Sequence, residues 1–228
     1  MNKSKSVEIE VCFRSPFRYD GTEVHEASAC LAALTRNGLE PIIYAPDIEQ
    51  AHVIDHQSGT PMENHPRRVL NESARIARGE VKSLTALKPE NAEALVIPGG
   101  FGAAKNLSDF GFKGADMEVN EEIAKVLKDF NEAGKPIALC CIAPIIAAKV
   151  FGPKVSITLG KTGDAWPYGG SLEAAASFGA KVEQKEVNEV CVDSKMKIVT
   201  SPAFMYNGKF HEIHDGVANM IKELIKLM

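Results

Sequence analysis

The sequence predicts an α/β fold, a three-layer α/β/α sandwich around a mostly parallel sheet. Three observations lead to this prediction. Short apolar runs typical of buried strands alternate along the chain with segments whose apolar residues recur at helical spacing. The first strand, the first helix and the second strand follow one another closely, which is typical of a βαβ unit. The apolar run at residues 94–97 lacks polar alternation, as expected for a strand covered on both faces.

The first half of the chain begins with the βαβ pattern. The predicted elements are a strand over residues 7–13, a helix that starts near Asp20 and ends at Asn37-Gly38, a strand over 39–45, a hairpin within 52–62, a short helix over 71–77 and the strand over 94–97. Asp20 and Glu23 have the spacing of a capping box, in which each side chain would accept a backbone N–H at the helix start. Asn-Gly accepts the left-handed geometry that ends a helix.

The second half of the chain begins with a strongly amphipathic helix. The predicted elements are a helix over residues 118–133, a strand over 136–140, a helix from 144 onward, an extended segment over 155–158, a helix over 172–178, strands over 188–193 and 197–200, and a closing helix over 217–227. In the first of these helices, one apolar stripe consists of Val119, Ile123, Val126, Leu127 and Phe130.

Cys141 stands where the strand over 136–140 turns into a helix without a polar linker. Pro144 suits the first helical turn, because its missing N–H would have no partner there. A thiol on this turn would lie above the end of a sheet, where α/β proteins open their clefts. The N-terminus of the helix would also favour its thiolate. The alternative is that Cys140 and Cys141 are two small buried hydrophobic residues.

A glycine-rich turn follows the strand over 94–97. Gly99, Gly100 and Gly102 allow a backbone to turn tightly and to approach another group closely. Such a turn presents N–H groups that can stabilise an oxyanion. A phosphate loop is a weaker interpretation, because neither the dinucleotide fingerprint nor the P-loop pattern is present. A purely structural turn is the remaining alternative.

Glu26 is the third candidate, one turn into the first helix. Its neighbours Ala27, Ala29 and Ala33 are small, so its side chain has room to lean into a cleft. A carboxyl group near a thiol can accept its hydrogen bond or move a proton. The alternative is an ordinary solvated carboxylate on a helix.

Composition argues against several classes of partner. The formal net charge of -4 gives no electrostatic reason for binding nucleic acid or an anionic membrane. No apolar run approaches the length of a membrane span, and the polar start lacks the apolar core of a secretory signal. With 228 residues and no linker, we expect one domain over residues 1–228. We expect it in the cytoplasm, or in mitochondria if a transit peptide has been removed.

Cysteine and histidine spacing predicts no metal site. The five cysteines are Cys12, Cys30, Cys140, Cys141 and Cys191. They lack the paired spacing of zinc ligands and are interpreted as reduced thiols. His25 has no second histidine at zinc-protease spacing, and His211 with His214 has no evident third ligand. We therefore expect neither a metal nor a cofactor.

Three motifs in order carry a family resemblance. They are Asp20-Gly-Thr-Glu-Val-His-Glu26, Pro98-Gly-Gly-Phe-Gly-Ala-Ala-Lys-Asn-Leu107 and Cys141-Ile-Ala-Pro144. Together they resemble the ElbB-like (ES-one) subgroup of the PfpI superfamily, which includes the Parkinson-associated DJ-one protein. The resemblance runs over most of the chain. It implies a class I glutamine amidotransferase-like fold, which is flavodoxin-like in its layers.

The resemblance also implies roles for individual residues. Cys141 matches the nucleophile on the turn, and Glu26 matches the carboxyl group that contacts the thiol. Gly100 matches the glycine turn whose N–H faces the nucleophile, and the N–H of Ile142 would be a second oxyanion donor. The implied activity is that of a glyoxalase III-like lyase on small 2-oxoaldehydes, without a cofactor, in a homodimer. The alternative is a non-catalytic redox-sensing or stress-protective protein of the same fold.

Two departures from the family pattern affect the expected activity. Residues 14–17 read Arg-Ser-Pro-Phe, where the subgroup normally has a Ser-Gly-Cys-Gly loop beside the site. Ile142 follows the nucleophile where the protease-like branch has His, and the Gly-x-Gln pattern of the amidotransferases is missing. A Cys-His-Glu amidotransferase or protease is therefore disfavoured. Residues 166–168, Trp-Pro-Tyr, either line the cleft or pack on the surface.

Overall fold

The central sheet of this computed structural model has seven strands, and the structure describes residues 6–10 and 20–228. In chain order the strands are β1 (Ser6–Glu10), β2 (Glu40–Ala45), β3 (Ile54–Asp55), β4 (Thr60–Pro61), β5 (Val81–Ser83), β6 (Leu95–Ile97), β7 (Ile137–Cys140), β8 (Ser156–Ile157), β9 (Lys181–Val182), β10 (Cys191–Asp193) and β11 (Ile198–Ser201). The order in the sheet is β10-β11-β7-β6-β1-β2-β5. Every neighbouring pair is parallel except β10 with β11, so the predicted mostly parallel sheet is confirmed.

Helices cover both faces of this sheet. They are α1 (Val24–Arg36), α2 (Val69–Ser73), α3 (Phe101–Lys105), α4 (Phe110–Lys113), α5 (Glu121–Glu132), α6 (Pro144–Phe151), α7 (Gly170–Ser177) and α8 (Phe210–Leu227). Helix α1 packs against α8, and α5 packs against α6. Both α8 and α5 contact β7, whose four residues are all buried. The predicted three-layer α/β/α sandwich is confirmed.

Three adjacent strands end together at one edge of the sheet. The register pairs Ile97 of β6 with Leu139 of β7, and Ser201 of β11 with Cys140 of β7. The segments that follow these strands therefore meet above the same edge. In open parallel sheets, this carboxyl edge is where ligand sites form.

Several predicted elements are confirmed with small shifts at their ends. Helix α5 begins one residue after Asn120, whose side chain accepts the N–H groups of Glu122 at 2.9 Å and Ile123 at 3.3 Å. That side chain satisfies two of the donors that every helix start leaves without a helical partner. The predicted hairpin within residues 52–62 is the antiparallel pair β3 and β4.

The predicted capping box at Asp20 is wrong. Helix α1 is capped by Glu23, whose Oε2 accepts the N–H of Glu26 at 2.8 Å. Asp20 is buried away from the helix start, and its Oδ2 accepts the N–H of Ile54 at 2.9 Å. The cause is the path of the chain between these residues, which runs along the glycine turn. The N–H of Glu23 donates to Gly99 O at 3.0 Å, which holds Glu23 rather than Asp20 at the cap.

Other elements differ from the predicted ones because tertiary packing, rather than local sequence, determines where they form. Strands β5 and β9 were not predicted, since three and two residues are too few to show a period. Helix α8 begins at Phe210, whereas the sequence predicted a start at residue 217. Ile213 is fully buried in this extra length, and the absence of a side chain at Gly216 lets Val187 O approach closely. Packing of this kind outweighs the weak helix propensity of glycine.

Some sequence predictions fall on parts of the chain that the structure does not describe. Residues 11–13 of the first predicted strand, Cys12 and the departure at residues 14–17 lie outside the described ranges. Within residues 6–10 and 20–228, no helix has the length and apolar character needed to cross a membrane.

Candidate active site

Cys141 occupies the sharp turn between β7 and α6, as the sequence predicted. Its φ of 58° is in the left-handed region, which is uncommon for a residue other than glycine. Its N–H donates to Ser201 O at 3.0 Å, so the turn is joined to the end of β11. Pro144 is at the start of α6. Conformations of this kind cost about 1–3 kcal/mol and are concentrated at functional sites.

Cys141 differs from the other described cysteines in what it contacts. It is 6% exposed and borders a cavity of about 530 Å³. Cys30 and Cys140 are fully buried, and the thiol of Cys30 lies close enough to raise the pKa of Cys140. Both Cys140 and Cys141 are thus buried, as the alternative interpretation expected, but of the two only Cys141 borders the cavity.

The glycine turn lies against the thiol. A methyl group at Gly99 would lie 2.3 Å from Cβ of Cys141 and 2.6 Å from Oε2 of Glu26. Gly100 has a φ of 99°, and a methyl group there would lie 2.3 Å from the backbone nitrogen of Glu23. Only glycine allows these approaches. The N–H groups of Gly100 and Ile142 both act on the Cys141 sulfur and lower its pKa, so they lie where they could also reach an oxyanion formed beside that sulfur.

Glu26 lies behind the thiol and does not border the cavity. Its side chain is fully buried, and its Oε1 accepts the N–H of Phe204 at 3.0 Å. Its Oε2 accepts the thiol of Cys140 at 3.9 Å. The Cys141 thiol and the N–H of Gly99 also act on this carboxyl group, and both lower its pKa. Glu26 is therefore not the solvated helix carboxylate that was the alternative.

Burial and the nearby charge of Glu23 raise the pKa of Glu26 to about 8, although its hydrogen bonds work in the opposite direction. Near neutral pH this carboxyl group holds a proton. A protonated carboxyl group can donate to sulfur, and it can accept a proton only after it has lost its own.

Burial, followed by the charge of Glu26, raises the pKa of Cys141 above that of an ordinary thiol. The N–H groups of Gly100 and Ile142 lower it, but they do not compensate. The N–H at the helix start thus favours the thiolate, as expected, but burial outweighs it. Helix dipoles contribute about 0.3–1 kcal/mol at such positions, less than the desolvation of a buried charge.

The cavity above Cys141 is walled mainly by rings. Phe101, Phe110, Tyr168, Phe204, Tyr206 and Phe210 line it, and we call these six residues the aromatic wall. Pro167 borders the same space, whereas Trp166 packs against Tyr206 with ring centroids 4.9 Å apart. Of the two interpretations of residues 166–168, the one in which they line the cleft is thus correct for Pro167 and Tyr168. We use the name base of the cavity for Cys141, the N–H groups of Gly100 and Ile142, and Glu26, which lies behind the thiol and outside the lining.

Sequence reasoning missed the contribution of the segment after β11. The backbone there supplies Ser201 O to Cys141 and the Phe204 N–H to Glu26. The residues that follow form one side of the cavity. Backbone donors leave no trace in residue identity, so no sequence signal marked Phe204.

Glu23 was also missed as a residue of the site. Among the described residues that line the cavity, it alone carries a carboxyl group. Its Oε2 caps α1, and its Oε1 lies 2.7 Å from Nδ1 of His25. The ring of His25 stacks on Phe210 with centroids 4.4 Å apart. The sequence predicted Glu23 only as half of a capping box, and its position next to Glu26 was the available signal.

No trio of His, Cys, Asp and Glu side chains suited to a metal ion occurs within residues 20–228. His25 is paired with Glu23, and His211 and His214 are exposed on α8. The geometry of the base is that of a thiol site, with two N–H donors and one carboxyl group around a single sulfur.

No protein-family model matches the chain. Human glutamine amidotransferase-like class 1 domain-containing protein 3, mitochondrial, is 53% identical over 212 residues, which span 92% of this chain and 79% of that protein. The mitochondrial ES1 protein of Danio rerio is 36% identical over 231 residues, which span 96% of this chain and 85% of that protein.

Solved structures share the fold. An isoprenoid biosynthesis protein with an amidotransferase-like domain from Ehrlichia chaffeensis superposes with a TM-score of 0.88 at 27% identity, covering 98% of this chain and 99% of that one. Glyoxalase III from Candida albicans superposes with a TM-score of 0.61 at 16% identity, covering 99% of this chain and 98% of that one. The second likeness shows the fold alone.

Proposed function

The chain belongs to the ES1 family of glutamine amidotransferase-like class 1 domain-containing proteins, and we propose that it converts 2-oxoaldehydes to 2-hydroxy acids through Cys141. The family resemblance predicted from the three sequence motifs is confirmed. The activity is our proposal, and it needs no cofactor. A fold neighbour is named glyoxalase III, which agrees with the proposal at the level of fold.

One observation carries the proposal. The sulfur of Cys141 borders the cavity, faces the N–H groups of Gly100 and Ile142, and contacts the buried carboxyl group of Glu26. A nucleophile, two oxyanion donors and a proton carrier are the groups that carbonyl addition at sulfur requires. No ordinary core thiol needs this combination.

The proposed reaction begins when the Cys141 sulfur adds to the aldehyde carbon. A carbon–sulfur bond forms, the carbonyl oxygen takes up the thiol proton, and a hemithioacetal results. The N–H groups of Gly100 and Ile142 stabilise the negative charge that develops on that oxygen.

The second step moves a proton between two neighbouring carbons. The former aldehyde carbon is now bonded to the sulfur that Glu26 contacts. Ionised Glu26 takes the hydrogen of that carbon and returns a proton to the adjacent ketone carbon, through an enediol. The product is a thioester of a 2-hydroxy acid. Water then cleaves the thioester, which releases the acid and restores the thiol, so the overall change is the addition of one water.

Because the second step needs ionised Glu26, the rate of turnover should depend on pH. Glu26 can take a proton from the substrate only in its ionised form, and its pKa is about 8. The rate should therefore rise from neutral pH towards about pH 8, because the ionised fraction increases over that interval.

A redox-sensing or stress-protective protein of the same fold is the second candidate. The contact between the Cys30 and Cys140 thiols, next to Cys141 in the chain, favours it. The raised pKa of Cys141 does not separate the two candidates, because a carbonyl-attacking nucleophile and a peroxide-sensing thiol both react as the thiolate.

Location and assembly belong to the same proposal. The names of the relatives call them mitochondrial, and we propose mitochondria for this chain; the cytoplasmic expectation has no support from them. A single domain over residues 1–228, a homodimer, and the lack of nucleic-acid and membrane partners remain predictions.

The test is consumption of a 2-oxoaldehyde by the purified protein, with the 2-hydroxy acid product identified. We expect turnover by the wild type and its loss in Cys141→Ala. Cys191→Ala is the matched control, since Cys191 is a buried thiol on β10 that does not border the cavity. Equal consumption by wild type and Cys141→Ala would contradict the proposal.

A further inference from the structure

The cavity is much larger than glyoxal or methylglyoxal. Its volume is about 530 Å³, within the range of about 300–1,000 Å³ found for drug-sized ligands. At about 30 Å³ per water, it would hold more than ten waters. A two- or three-carbon aldehyde bound at Cys141 would leave most of this space to solvent. The volume therefore favours a substrate with a substantial group beyond its two carbonyls.

The aromatic wall indicates the chemistry of that group. Its six rings come from separate parts of the chain: α3, α4, the loop before α7, the segment after β11 and the start of α8. Phe101 meets Tyr168 edge to face with centroids 6.3 Å apart, and Phe204 meets Phe210 in the same way at 6.1 Å. A ring placed among them would gain about 0.5–1.5 kcal/mol per favourable aromatic pair beyond simple burial.

Charge at the cavity indicates what the substrate lacks. The described lining residues include the carboxyl group of Glu23 and no lysine or arginine. Within the described part of the lining, a carboxylate or phosphate on the substrate would meet no cationic partner and would be repelled by Glu23. These described residues favour a neutral substrate.

We infer that the site takes neutral 2-oxoaldehydes that carry an aromatic or comparably bulky apolar group, in preference to glyoxal and methylglyoxal. The inference rests on the proposed function and names its substrate class. The two carbonyl carbons lie at the base, beside Cys141, and the apolar group lies along the aromatic wall.

Phe210 offers a direct test because it belongs to the wall and yet is 61% exposed. Removing its ring should not threaten the fold. We expect Phe210→Ala to lower kcat/KM for phenylglyoxal by about three- to tenfold, the equivalent of one lost aromatic contact, and to lower kcat/KM for methylglyoxal by a smaller factor. Phe112→Ala is the matched control, since Phe112 is 51% exposed and lies outside the lining.

The comparison of substrates is made on the wild type. We expect a higher kcat/KM for phenylglyoxal than for methylglyoxal, after subtracting the consumption measured with Cys141→Ala, which corrects for reaction of phenylglyoxal with arginine. An equal or lower value for phenylglyoxal would overturn the inference. So would a Phe210→Ala variant that loses both activities equally.

Binding of an unreactive probe separates this inference from the proposed function. Trp166 is the single tryptophan and contacts Tyr206 of the wall, so its fluorescence reports on the cavity. We expect benzyl alcohol to shift that fluorescence saturably and propanol not to, with weaker binding in Phe210→Ala. If neither aldehyde is consumed but benzyl alcohol binds in this way, the proposed function fails and the apolar ligand class stands. Failure of benzyl alcohol to bind would overturn the inference whatever the turnover.

Discussion

The base of the cavity and its aromatic wall are built in opposite ways. The base depends on buried backbone: two N–H groups face one sulfur, and a buried carboxyl group is held by the Phe204 N–H. The wall depends on side chains, and one of its rings, Phe210, is mostly exposed. Added bulk at the base therefore disturbs folding and chemistry together, whereas a change at the wall should alter mainly the choice of substrate. The predictions below test this difference in decreasing order of expected effect.

The largest effect is expected at Gly99, where the base has no spare space. The methyl group of Gly99→Ala would approach Cβ of Cys141 to 2.3 Å. We expect the free energy of unfolding to fall by more than about 3 kcal/mol, the upper range for overpacking, and turnover to be lost. Chemical denaturation followed by circular dichroism measures the first effect.

Gly170→Ala is the matched control on the wall side. Gly170 lines the cavity at the start of α7, and a methyl group there meets nothing within 4 Å. We expect stability equal to the wild type or slightly higher, because alanine favours a helix. A Gly99→Ala variant as stable as Gly170→Ala would show that the base is not tightly packed.

A second prediction follows from the pKa of Glu26, raised from 4.5 to about 8 in the folded chain. The folded state holds this proton more tightly than the unfolded state. Its contribution to stability is therefore complete below about pH 4.5 and is lost as the pH rises through about 8. Relative to Glu26→Gln, the wild type should lose up to about 1.4 kcal/mol per pH unit in this interval. If the free energy of unfolding changed with pH in parallel for the two proteins, the burial of an ionisable carboxyl group at this position would be contradicted.

The smallest expected effect is a difference among the cysteines in their rates of alkylation. We expect brief, substoichiometric iodoacetamide to label Cys141 before Cys30, Cys140 and Cys191, because among these four only Cys141 borders the cavity. The rate should keep rising at pH values above the ordinary range of thiol titration, because burial raises the pKa of Cys141. Iodoacetate should react more slowly than iodoacetamide, because Glu23 repels its charge. Peptide mapping decides the order, and first labelling of any other cysteine would contradict the cavity geometry.

The residues at the base of the cavity were largely predictable from sequence, because the motifs that mark them are local in the chain. A buried strand running into Pro144 predicted the turn at Cys141, and clustered glycines predicted a close backbone approach. The structure brings both to Glu26, as the family resemblance implied. The protonation of these groups was not predictable, because desolvation depends on everything packed around them. The expected advantage of the helix N-terminus was outweighed for that reason.

The wall was much less predictable. Its rings come from segments far apart in the chain, and only the fold brings Phe101 and Tyr168 into contact. Phe204 contributes through its N–H, which any residue except proline would supply. Glu23 was misassigned because capping-box spacing fits two different helix starts equally well. Its true position follows from the hydrogen bond between its N–H and Gly99 O, a long-range contact with no local signal.

The central claim is that Glu26 moves a proton on a substrate bound to Cys141, and Glu26→Gln tests it most directly. Glutamine keeps the shape and can accept the Phe204 N–H, but it cannot take up a proton. The measurement is turnover of phenylglyoxal and methylglyoxal by wild type and Glu26→Gln, with folding and Cys141 alkylation as controls. We predict that turnover falls by about a hundred- to ten-thousand-fold while the variant stays folded and its thiol still reacts. Turnover unchanged in a folded Glu26→Gln variant would contradict the claim.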